Sequence, residues 1–438
     1  MIVFESIRWK NFLSTGDRWT EVKLDSSMST LIIGHNGSGK STILDALCFG
    51  LFNKPFRKIT KSQLVNSINE KGTKVEVNWT IGKDEYRVFR AIKPNIFELY
   101  KNNKLIDQDA ATRDTQKYLE QSIDDFSKIS SIEEFIGGQS NPTYLIKTSG
   151  KSYVLRRKPP GKLLKSAHAV DREYEVIAAL NKTDVPVPKA YLHCEDESII
   201  GTEFFLMSYV DGEVMWEPHI PQASSEERYK IYKSMNNTIA RLHSVDHEKI
   251  GLSSFGKPGN YVGRQISRWS KQYLASETRE IKSMNNLMEW LPKNLPEEKA
   301  TKLVHGDFSL SNVMIDLNTF EICAILDWEL STLGDPAADF SYHCIQYKLN
   351  PILSDEKQCR NMGIPCEMEY LEMYEEKTGY QIAKEWNLYM GFNLFKLAAI
   401  SQGIMGRVRD GTAAGKNADS FGENAIMMAD EAWKLINE

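Results

Sequence analysis

The sequence predicts two unlike folded units in one chain: an α/β nucleotide-binding unit followed by a larger α+β unit. Three observations predict this division. A G-x₄-G-K-S motif at residues 34–41 stands between an apolar strand pattern and a helical pattern. The motifs H-G-D-x₄-N and I-L-D-W-E lie close together within residues 303–336. Residues 1–120 have 19 basic and 14 acidic side chains, a net charge of +5, whereas the remainder has 35 and 45, a net charge of −10. This asymmetry indicates modules with different partners, although solvated surfaces would explain either value as well.

Composition is that of a globular protein with two or three domains, since the 438 residues are 41% hydrophobic and 26% charged. No apolar run is long enough to span a membrane, and the N-terminal residues lack the pattern of a signal peptide. The six cysteines are scattered without a C-x-x-C pair, which indicates reduced thiols. We therefore expect a cytoplasmic protein without a membrane partner.

In the first unit, strands are predicted over residues 2–12, 19–24 and 31–33. The third strand leads into the glycine-rich loop, where backbone N–H groups can surround phosphates, Lys40 can reach the terminal phosphates and Ser41 can bind Mg²⁺. A helix over residues 42–52, strands over 74–81, 85–92 and 95–100 and a helix over 112–121 follow. The predicted nucleotide-binding residues are Gly34, Asn36, Gly37, Gly39, Lys40, Ser41 and Thr42, with Ser41 also a metal ligand.

This unit resembles the N-terminal half-head of the Rad50/SMC-type ATPases, especially the phage recombination-endonuclease subunits. The resemblance rests on RWKNFLSTG, LIIGHNGSGKSTILDALCFGLFNKPFR and QLVNSINEKGTKVEV. It covers about residues 1–121 and implies weak DNA binding or an Mre11-like nuclease partner. The glutamine-bearing loop, the coiled coils and the C-terminal half with its hydrolysis motif, which such ATPases need, do not follow after Ser122. We therefore expect little ATP hydrolysis by this unit alone.

In the second unit, strands are predicted over residues 313–316 and 321–326. His305, Asp307, Asn312 and Asp327 stand at strand ends, so a hairpin would bring them together. One carboxylate can accept a proton from a hydroxyl, while Asn312 and Asp327 offer hard oxygen ligands for Mg²⁺. Phosphoryl transfer needs this division of labour. The alternative is that both motifs are ordinary strand ends.

These motifs resemble the aminoglycoside phosphotransferase family within the protein-kinase-like fold. The two resemblances together imply a truncated P-loop ATPase half-head followed by a bilobal kinase-like fold. The expected domains are residues 1–121, a junction at 122–132, an N-lobe at 133–212 and a C-lobe at 213–438. The resemblance implies Asp307 as the catalytic base, Asn312 and Asp327 as Mg²⁺ ligands, and ATP as the phosphate donor.

The resemblance also assigns the nucleotide contacts of the N-lobe. A glycine-rich turn between two strands, with Gly137, Gly138 and Ser140, would close over phosphates. Arg156, on the strand predicted over 152–157, takes the place of the family's phosphate-binding lysine, a role that Arg157 or Lys158 could share. Glu173, on a helix predicted over 166–180, would be its ion-pair partner or, alternatively, an exposed charge. In the strand predicted over 202–210, Met207 and Tyr209 match the hinge that holds adenine.

Four stretches, GGQSNPTYLI, YVLRRKPPGKLLKSAHAVDREY, PGNYVGRQISRWSKQY and LDWELSTLGDP, resemble the kinases associated with acyl-CoA dehydrogenases. This implies a small-molecule hydroxyl acceptor such as a hydroxyacyl-CoA. Helices are predicted over 226–244, 260–274, 284–291 and much of 386–434. We expect His243 to be structural, and Asp335 and Asp339 to brace the loop and the helix after Asp327.

Three functions remain open. The first is a small-molecule kinase that carries an incomplete ATPase fragment, whether by natural fusion, artificial joining or a joined reading frame. The second is a DNA-recombination ATPase subunit with the kinase-like part as a passenger. The third is a catalytically silent nucleotide-sensing protein. The complete set Asp307, Asn312 and Asp327 favours the first, and the missing hydrolysis half weakens the second.

Overall fold

The computed structural model describes residues 2–26, 39–57, 59–93, 96–105, 119, 122–123, 126–135, 141–159, 169–409 and 418–438. The chain divides into two units, Met1–Arg113 and Asp114–Glu438. Several predicted features lie outside the described residues. They are the strand over 31–33, the loop residues Gly34, Asn36 and Gly37, the helix over 112–121 except Leu119, and the turn residues Gly137, Gly138 and Ser140.

The first unit is built on an antiparallel sheet of six strands in the order β2-β1-β3-β4-β5-β6, with helix α1 against it. Val75 and Val77 are buried on the same face of the sheet, where α1 approaches so closely that a Cβ on Gly50 would lie 2.7 Å from Val77. The elements are β1 (Ile2–Lys10), β2 (Thr20–Lys23), α1 (Lys40–Phe52), β3 (Thr73–Ile81), β4 (Asp84–Ile92), β5 (Ile96–Lys101) and β6 (Lys104–Leu105).

The second unit starts with an antiparallel five-stranded sheet in the order β10-β11-β9-β8-β7. Side chains of β11 alternate between two cores, because Phe205 and Met207 pack towards α2 while Phe204 and Leu206 pack on the opposite face. The elements are β7 (Ile129–Glu134), β8 (Thr143–Thr148), β9 (Ser152–Arg157), α2 (Val170–Leu180), β10 (Ala190–Cys194), α3 (Glu197–Ile200) and β11 (Phe204–Ser208).

Residues predicted as a junction between the units belong to the fold of the second unit. Ile123 and Phe126 are buried in the core on the outer face of this sheet, and the Phe126 and Tyr153 ring centroids are 5.0 Å apart. Strand β7 adds the edge strand beside β8. The sheet would otherwise expose apolar side chains on that face, so the unit begins before the expected lobe boundary at residue 133.

The rest of the unit is mainly helical, with two short antiparallel ladders, β12 with β15 and β13 with β14. Its first long helix is capped reciprocally, since Ser224 Oγ accepts from the Glu227 N–H at 3.3 Å while Glu227 accepts from the Ser224 N–H at 2.7 Å. The helices are α4 (Ser225–Ser244), α5 (Tyr261–Ser276), α6 (Lys282–Trp290), α7 (Pro336–His343), α8 (Gln346–Leu349), α9 (Glu356–Met362), α10 (Glu367–Thr378), α11 (Trp386–Arg409) and α12 (Ala418–Leu435). The strands are β12 (Lys302–Val304), β13 (Val313–Asp316), β14 (Glu321–Ile325) and β15 (Thr332–Gly334).

All six cysteines are free thiols, in agreement with the expectation from their spacing. Within the described ranges, no helix is both long enough and apolar enough to cross a bilayer.

Candidate active site

The loop between β12 and β13 carries His305, Gly306 and Asp307. Gly306 has a φ of +84°, and a Cβ there would lie 2.8 Å from the Leu330 carbonyl oxygen. Glycine is therefore required on both counts. The buried His305 ring connects two segments: its Nδ1 accepts from the Asp307 N–H at 3.2 Å, and its Nε2–H donates to the Leu326 carbonyl at 2.9 Å. The loop is thus tied to the end of β14, immediately before Asp327.

Asp307 and Asn312 form a direct pair within this loop. Asn312 Nδ2 donates to Asp307 Oδ2 at 3.0 Å and to the Asp307 carbonyl at 2.9 Å. Burial raises the pKa of Asp307, while nearby His305 and the hydrogen bonds from Asn312 and Tyr342 oppose that increase. A carboxylate held away from water, with a raised pKa, is a better proton acceptor than an exposed aspartate. This geometry suits the role of a general base.

Asp339, on helix α7, accepts hydrogen bonds from the backbone of this loop. Its Oδ2 accepts from the His305 N–H at 2.9 Å and its Oδ1 accepts from the Gly306 N–H at 2.8 Å. His243 Nε2 lies 3.1 Å from Asp339 Oδ2, and the other ring nitrogen lies 2.6 Å from the Tyr374 hydroxyl. Burial alone would raise the pKa of Asp339, but the hydrogen bond and charge of His243 bring it below the ordinary value. His243 therefore has structural contacts, as expected.

We predict that Asp339→Ala lowers the free energy of unfolding by about 3–5 kcal/mol, because it leaves a buried histidine and two backbone N–H groups without their acceptor. Asp355→Ala is the matched control, since Asp355 caps α9 at an exposed position and its loss should cost only about 1 kcal/mol. Urea denaturation of the full chain, followed by fluorescence, measures the free energy of unfolding of both variants. Neither substitution alters the first unit. Equal losses in the two variants would contradict this account of the network.

Asp327 follows β14 and faces the basic residue of the N-lobe sheet. Its backbone is left-handed, with φ +61°, a conformation that is uncommon for non-glycine residues but more accessible to aspartate and asparagine than to most others. Arg156 Nη2 lies 2.9 Å from Asp327 Oδ1, and Arg156 Nε lies 2.9 Å from Glu173 Oε2. The predicted Arg156–Glu173 ion pair is therefore present, and Arg156 also reaches the predicted metal ligand.

Glu173 is buried, so it is not the exposed helix charge of the alternative interpretation. Burial raises its pKa to about 7, although the Arg156 charge and the hydrogen bond from Asn141 favour the ionised form. Asn141 Nδ2 donates to Glu173 Oε1 at 2.7 Å. Asn141 was not predicted from the sequence, and this hydrogen bond joins the residue two positions before β8 to α2.

A cleft of about 350 Å³ opens beside Arg156 and Asp327. Apolar side chains line much of it, and the predicted hinge residues Met207 and Tyr209 are among them. The Tyr209 N–H already donates to the Ser152 carbonyl at 3.3 Å. Other lining residues are Phe135, Val154, Glu173, Ile177, Phe205, Gly212, Met314, Ile325 and Leu326. An apolar slot with charged groups at one end is suited to a planar base with a phosphate tail.

The donor set next to this cleft fits a magnesium ion. Asn312 uses its amide N–H groups on Asp307, and within the described part of the chain its amide oxygen accepts no hydrogen bond. The Asp327 side chain is 36% exposed, with one oxygen engaged by Arg156. Mg²⁺ is typically held by one or two protein oxygens together with water and substrate phosphates. Described residues do not, however, assemble three or more His, Cys, Asp or Glu side chains into a metal cluster.

The first unit has a separate polar cavity of about 530 Å³ at the N-terminus of α1. Four predicted residues line it: Gly39, Lys40, Ser41 and Thr42. Gly39 has a φ of +89° and caps α1. Arg57, on the cavity wall, is held by buried Asp45, with its Nε 2.6 Å from Asp45 Oδ2. A helix N-terminus with a lysine and two hydroxyls is suited to phosphate binding.

The sequence model of the phosphotransferase enzyme family matches residues 131–377, more than half of the chain. The chain belongs to this family. A model of an AAA domain matches residues 6–185 and therefore overlaps it. In the overlap, β7, β8 and β9 are hydrogen-bonded into the sheet of the second unit, so these three strands are part of the phosphotransferase fold. The predicted kinase-like fold class is confirmed.

Individual relatives support both the kinase-like and the Rad50-like resemblance. Acyl-CoA dehydrogenase family member 10 from Mus musculus is 44% identical over 310 residues, which are 70% of this chain and 29% of that protein. Exonuclease subunit 2 of Enterobacteria phage T4 is 42% identical over 117 residues, 27% of this chain and 21% of that protein. A Ralstonia eutropha crystal structure described provisionally as an aminoglycoside phosphotransferase has 44% identity and a TM-score of 0.69, covering 74% of this chain and 98% of that one. The chain thus spans less than half of the length of the curated relatives named here.

Sequence reasoning missed the residues that approach the site from distant helices. Tyr342 on α7 acts on Asp307 through its hydroxyl, which opposes the rise in the pKa of that carboxyl. Lys396 on α11 places its Nζ 3.4 Å from the Gly306 carbonyl and 4.0 Å from the centre of the Tyr342 ring. Lys396 interrupts the apolar stretch GFNLFKLAAI, and that break was the available signal.

Proposed function

We propose that the second unit transfers the γ-phosphate of ATP to a hydroxyl group of a small molecule. One observation carries the proposal: the loop bearing Asp307 is hydrogen-bonded to the strand end that presents Asp327. Asn312 contacts Asp307 through its side chain, and its carbonyl accepts from the Leu326 N–H at 2.8 Å. Base and metal ligands are therefore held by one rigid pair of strands.

In this proposal the side chains divide the reaction between them. Asp307 takes the proton from the acceptor hydroxyl as that oxygen attacks phosphorus. Asn312 and Asp327 would hold Mg²⁺, which screens the phosphate charge and orients the phosphates when bound. Arg156 would neutralise phosphate oxygens, and Glu173 would keep its guanidinium oriented. The adenine would occupy the apolar slot near Met207 and Tyr209.

The proposed acceptor is a hydroxyacyl-CoA or a related metabolite. The support for this acceptor is the sequence identity to a relative that is named as an acyl-CoA dehydrogenase family member. The segment similar to this chain is only part of that relative's polypeptide. Aminoglycosides are the competing acceptor class, suggested by the name of the structural relative. The test is a phosphorylation assay with Mg²⁺ and ATP over hydroxyacyl-CoA thioesters, sugars and aminoglycosides. Absence of transfer to all of them would refute the proposal in its present form.

For the first unit we propose a nucleotide-binding fragment of a Rad50-like head. Identity to the phage exonuclease subunit supports this and keeps a DNA-recombination role as the alternative, with DNA or a nuclease as the partner. The residues at the N-terminus of α1 would hold phosphates, and Ser41 would hold Mg²⁺. The net charge of +5 over residues 1–120 can displace few counterions, so DNA binding should be weak and dependent on salt.

Lys40→Ala distinguishes the two nucleotide sites. We predict that it leaves phosphate transfer by the full chain nearly unchanged, because Lys40 belongs to the first unit and Asp307 to the second. The same substitution should abolish any ATPase activity that appears when a Rad50-like C-terminal half is added in trans. Loss of phosphate transfer in Lys40→Ala, with Asp307→Asn still active, would assign the chemistry to the first unit instead.

A further inference from the structure

The ammonium group of Lys396 is an unusual feature beside Asp307. The Lys396 residue is only 9% exposed, and burial of an ammonium costs several kcal/mol unless it is compensated. Across the described ranges, no carboxylate lies within ion-pair distance of it. Its nearest contacts are the Gly306 carbonyl at 3.4 Å, a long hydrogen bond, and the Tyr342 ring at 4.0 Å. Among the described residues, two of its three N–H donors therefore have no hydrogen-bond acceptor.

The nearby aspartates do not take up these donors. Asp339 is committed to the N–H groups of His305 and Gly306 and to His243. Asp307 is paired with Asn312. Burial lowers the pKa of Lys396, while the charges of Asp339 and Asp307 oppose that change and Arg268 adds to it. The charge of Asp307 therefore acts on Lys396, but within the described residues the two side chains form no ion pair.

Helix α5 extends the positive charge outwards. Tyr261–Ser276 carries Arg264, Arg268 and Lys271 and no acidic residue, and it packs against α11. Arg264 and Arg268 are four positions apart and so share one face of the helix. Arg268 is exposed, and its charge contributes to lowering the pKa of Lys396. Tyr342, Lys396 and Arg268 are not lining residues of the apolar cleft proposed for ATP.

We propose that Lys396 and Arg268, with Tyr342 beside Asp307, form the acceptor subsite and bind an anionic group of the acceptor. This inference rests on the proposed phosphotransferase function and narrows its acceptor class. An acceptor with phosphate or carboxylate groups, such as a CoA thioester or a hydroxy acid, gains these contacts. A polycationic aminoglycoside would meet repulsion instead.

The test is direct binding, which does not depend on turnover. Isothermal titration calorimetry compares β-hydroxybutyryl-CoA, free β-hydroxybutyrate and the neutral N-acetylcysteamine thioester of the same acid. The parent should bind at least one of the two anionic compounds more tightly than the neutral one. Preference for the thioester of CoA indicates a phosphate handle, and preference for the free acid indicates a carboxylate. Lys396→Met should weaken binding of the preferred anion by roughly tenfold to a hundredfold and leave the affinity for the neutral thioester unchanged.

Lys396→Arg should retain most of the preference, which a purely structural role for the lysine would not predict. Lys230→Met is the matched control, because Lys230 is exposed on α4 and pairs with Glu226 at 2.9 Å. Magnesium–ATP binding, measured on every variant, reports separately on the proposed phosphotransferase function and should not change. Equal affinity for anionic and neutral compounds in the parent, or no effect of Lys396→Met on anion binding, would overturn the inference.

Discussion

Asp307→Asn is expected to reduce turnover by roughly two to four powers of ten, the range that general-base catalysis contributes. The amide has nearly the same size as the carboxylate but cannot take the proton from the acceptor hydroxyl. Asp307 accepts a hydrogen bond from Asn312 at 3.0 Å, and an asparagine oxygen can accept the same bond, so the loop should keep its geometry. Binding of Mg²⁺ and ATP should therefore be retained. The measurements are kcat for phosphate transfer and calorimetric titration with ATP.

The matched control for this variant is Asp316→Asn. Asp316 ends β13 and accepts from the Asn318 N–H at 2.7 Å in an exposed turn, a bond that asparagine can also accept. The control should transfer phosphate at the parent rate. A decrease of less than about tenfold in Asp307→Asn would show that another group takes the proton.

Asp327→Ala is expected to weaken the binding of Mg²⁺ with ATP by roughly a hundredfold or more, because one of the two proposed protein ligands is removed. Binding of ATP without metal should change much less. The substitution removes a negative charge near the triphosphate and also frees the Arg156 nitrogen that lies 2.9 Å from Asp327. Calorimetric titrations with a non-hydrolysable ATP analogue, performed with and without Mg²⁺, measure both effects.

Glu329→Ala provides the control for charge alone. Glu329 is an exposed acid two positions further along the chain, so its removal changes the local field without removing a proposed ligand. Its Mg²⁺-dependent affinity should match that of the parent. If Asp327→Ala and Glu329→Ala weaken binding equally, Asp327 acts through its charge and is not a metal ligand.

Local sequence patterns were sufficient for the strands around the site. Strand β13 occupies the predicted residues, and β14 ends one residue before the predicted end. Alternating apolar residues and short polar connections determine such strands through contacts between neighbouring residues, so no distant information was needed. The H-G-D-x₄-N spacing likewise placed Asp307 and Asn312 in contact, because both belong to one short loop.

Resemblance to a family contributed what local patterns could not. Arg156 and Glu173 are on different elements, and nothing in their own neighbourhoods distinguishes a buried ion pair from two surface charges. The structure brings the Arg156 Nε to 2.9 Å from Glu173 Oε2, with Glu173 buried and Arg156 partly buried. The second unit was expected to begin near residue 123, but residues 122–132 were assigned to a junction. Their packing role could not be predicted, since the apolar residues 123 and 126 become informative only when the sheet face that they cover is known.

The sequence by itself determined the division into two units and the chemical groups proposed for phosphate transfer, because these depend on residue type and short spacing, while the fold classes followed from the resemblance of those motifs to known families. Only the tertiary structure decided what surrounds Asp307. Asp339, Tyr342 and Lys396 come from helices α7 and α11, and helix packing places them beneath or beside the loop. Their contacts join residues far apart in the chain, and the free energy that holds them there comes from burial of the whole helical core, which no local pattern records.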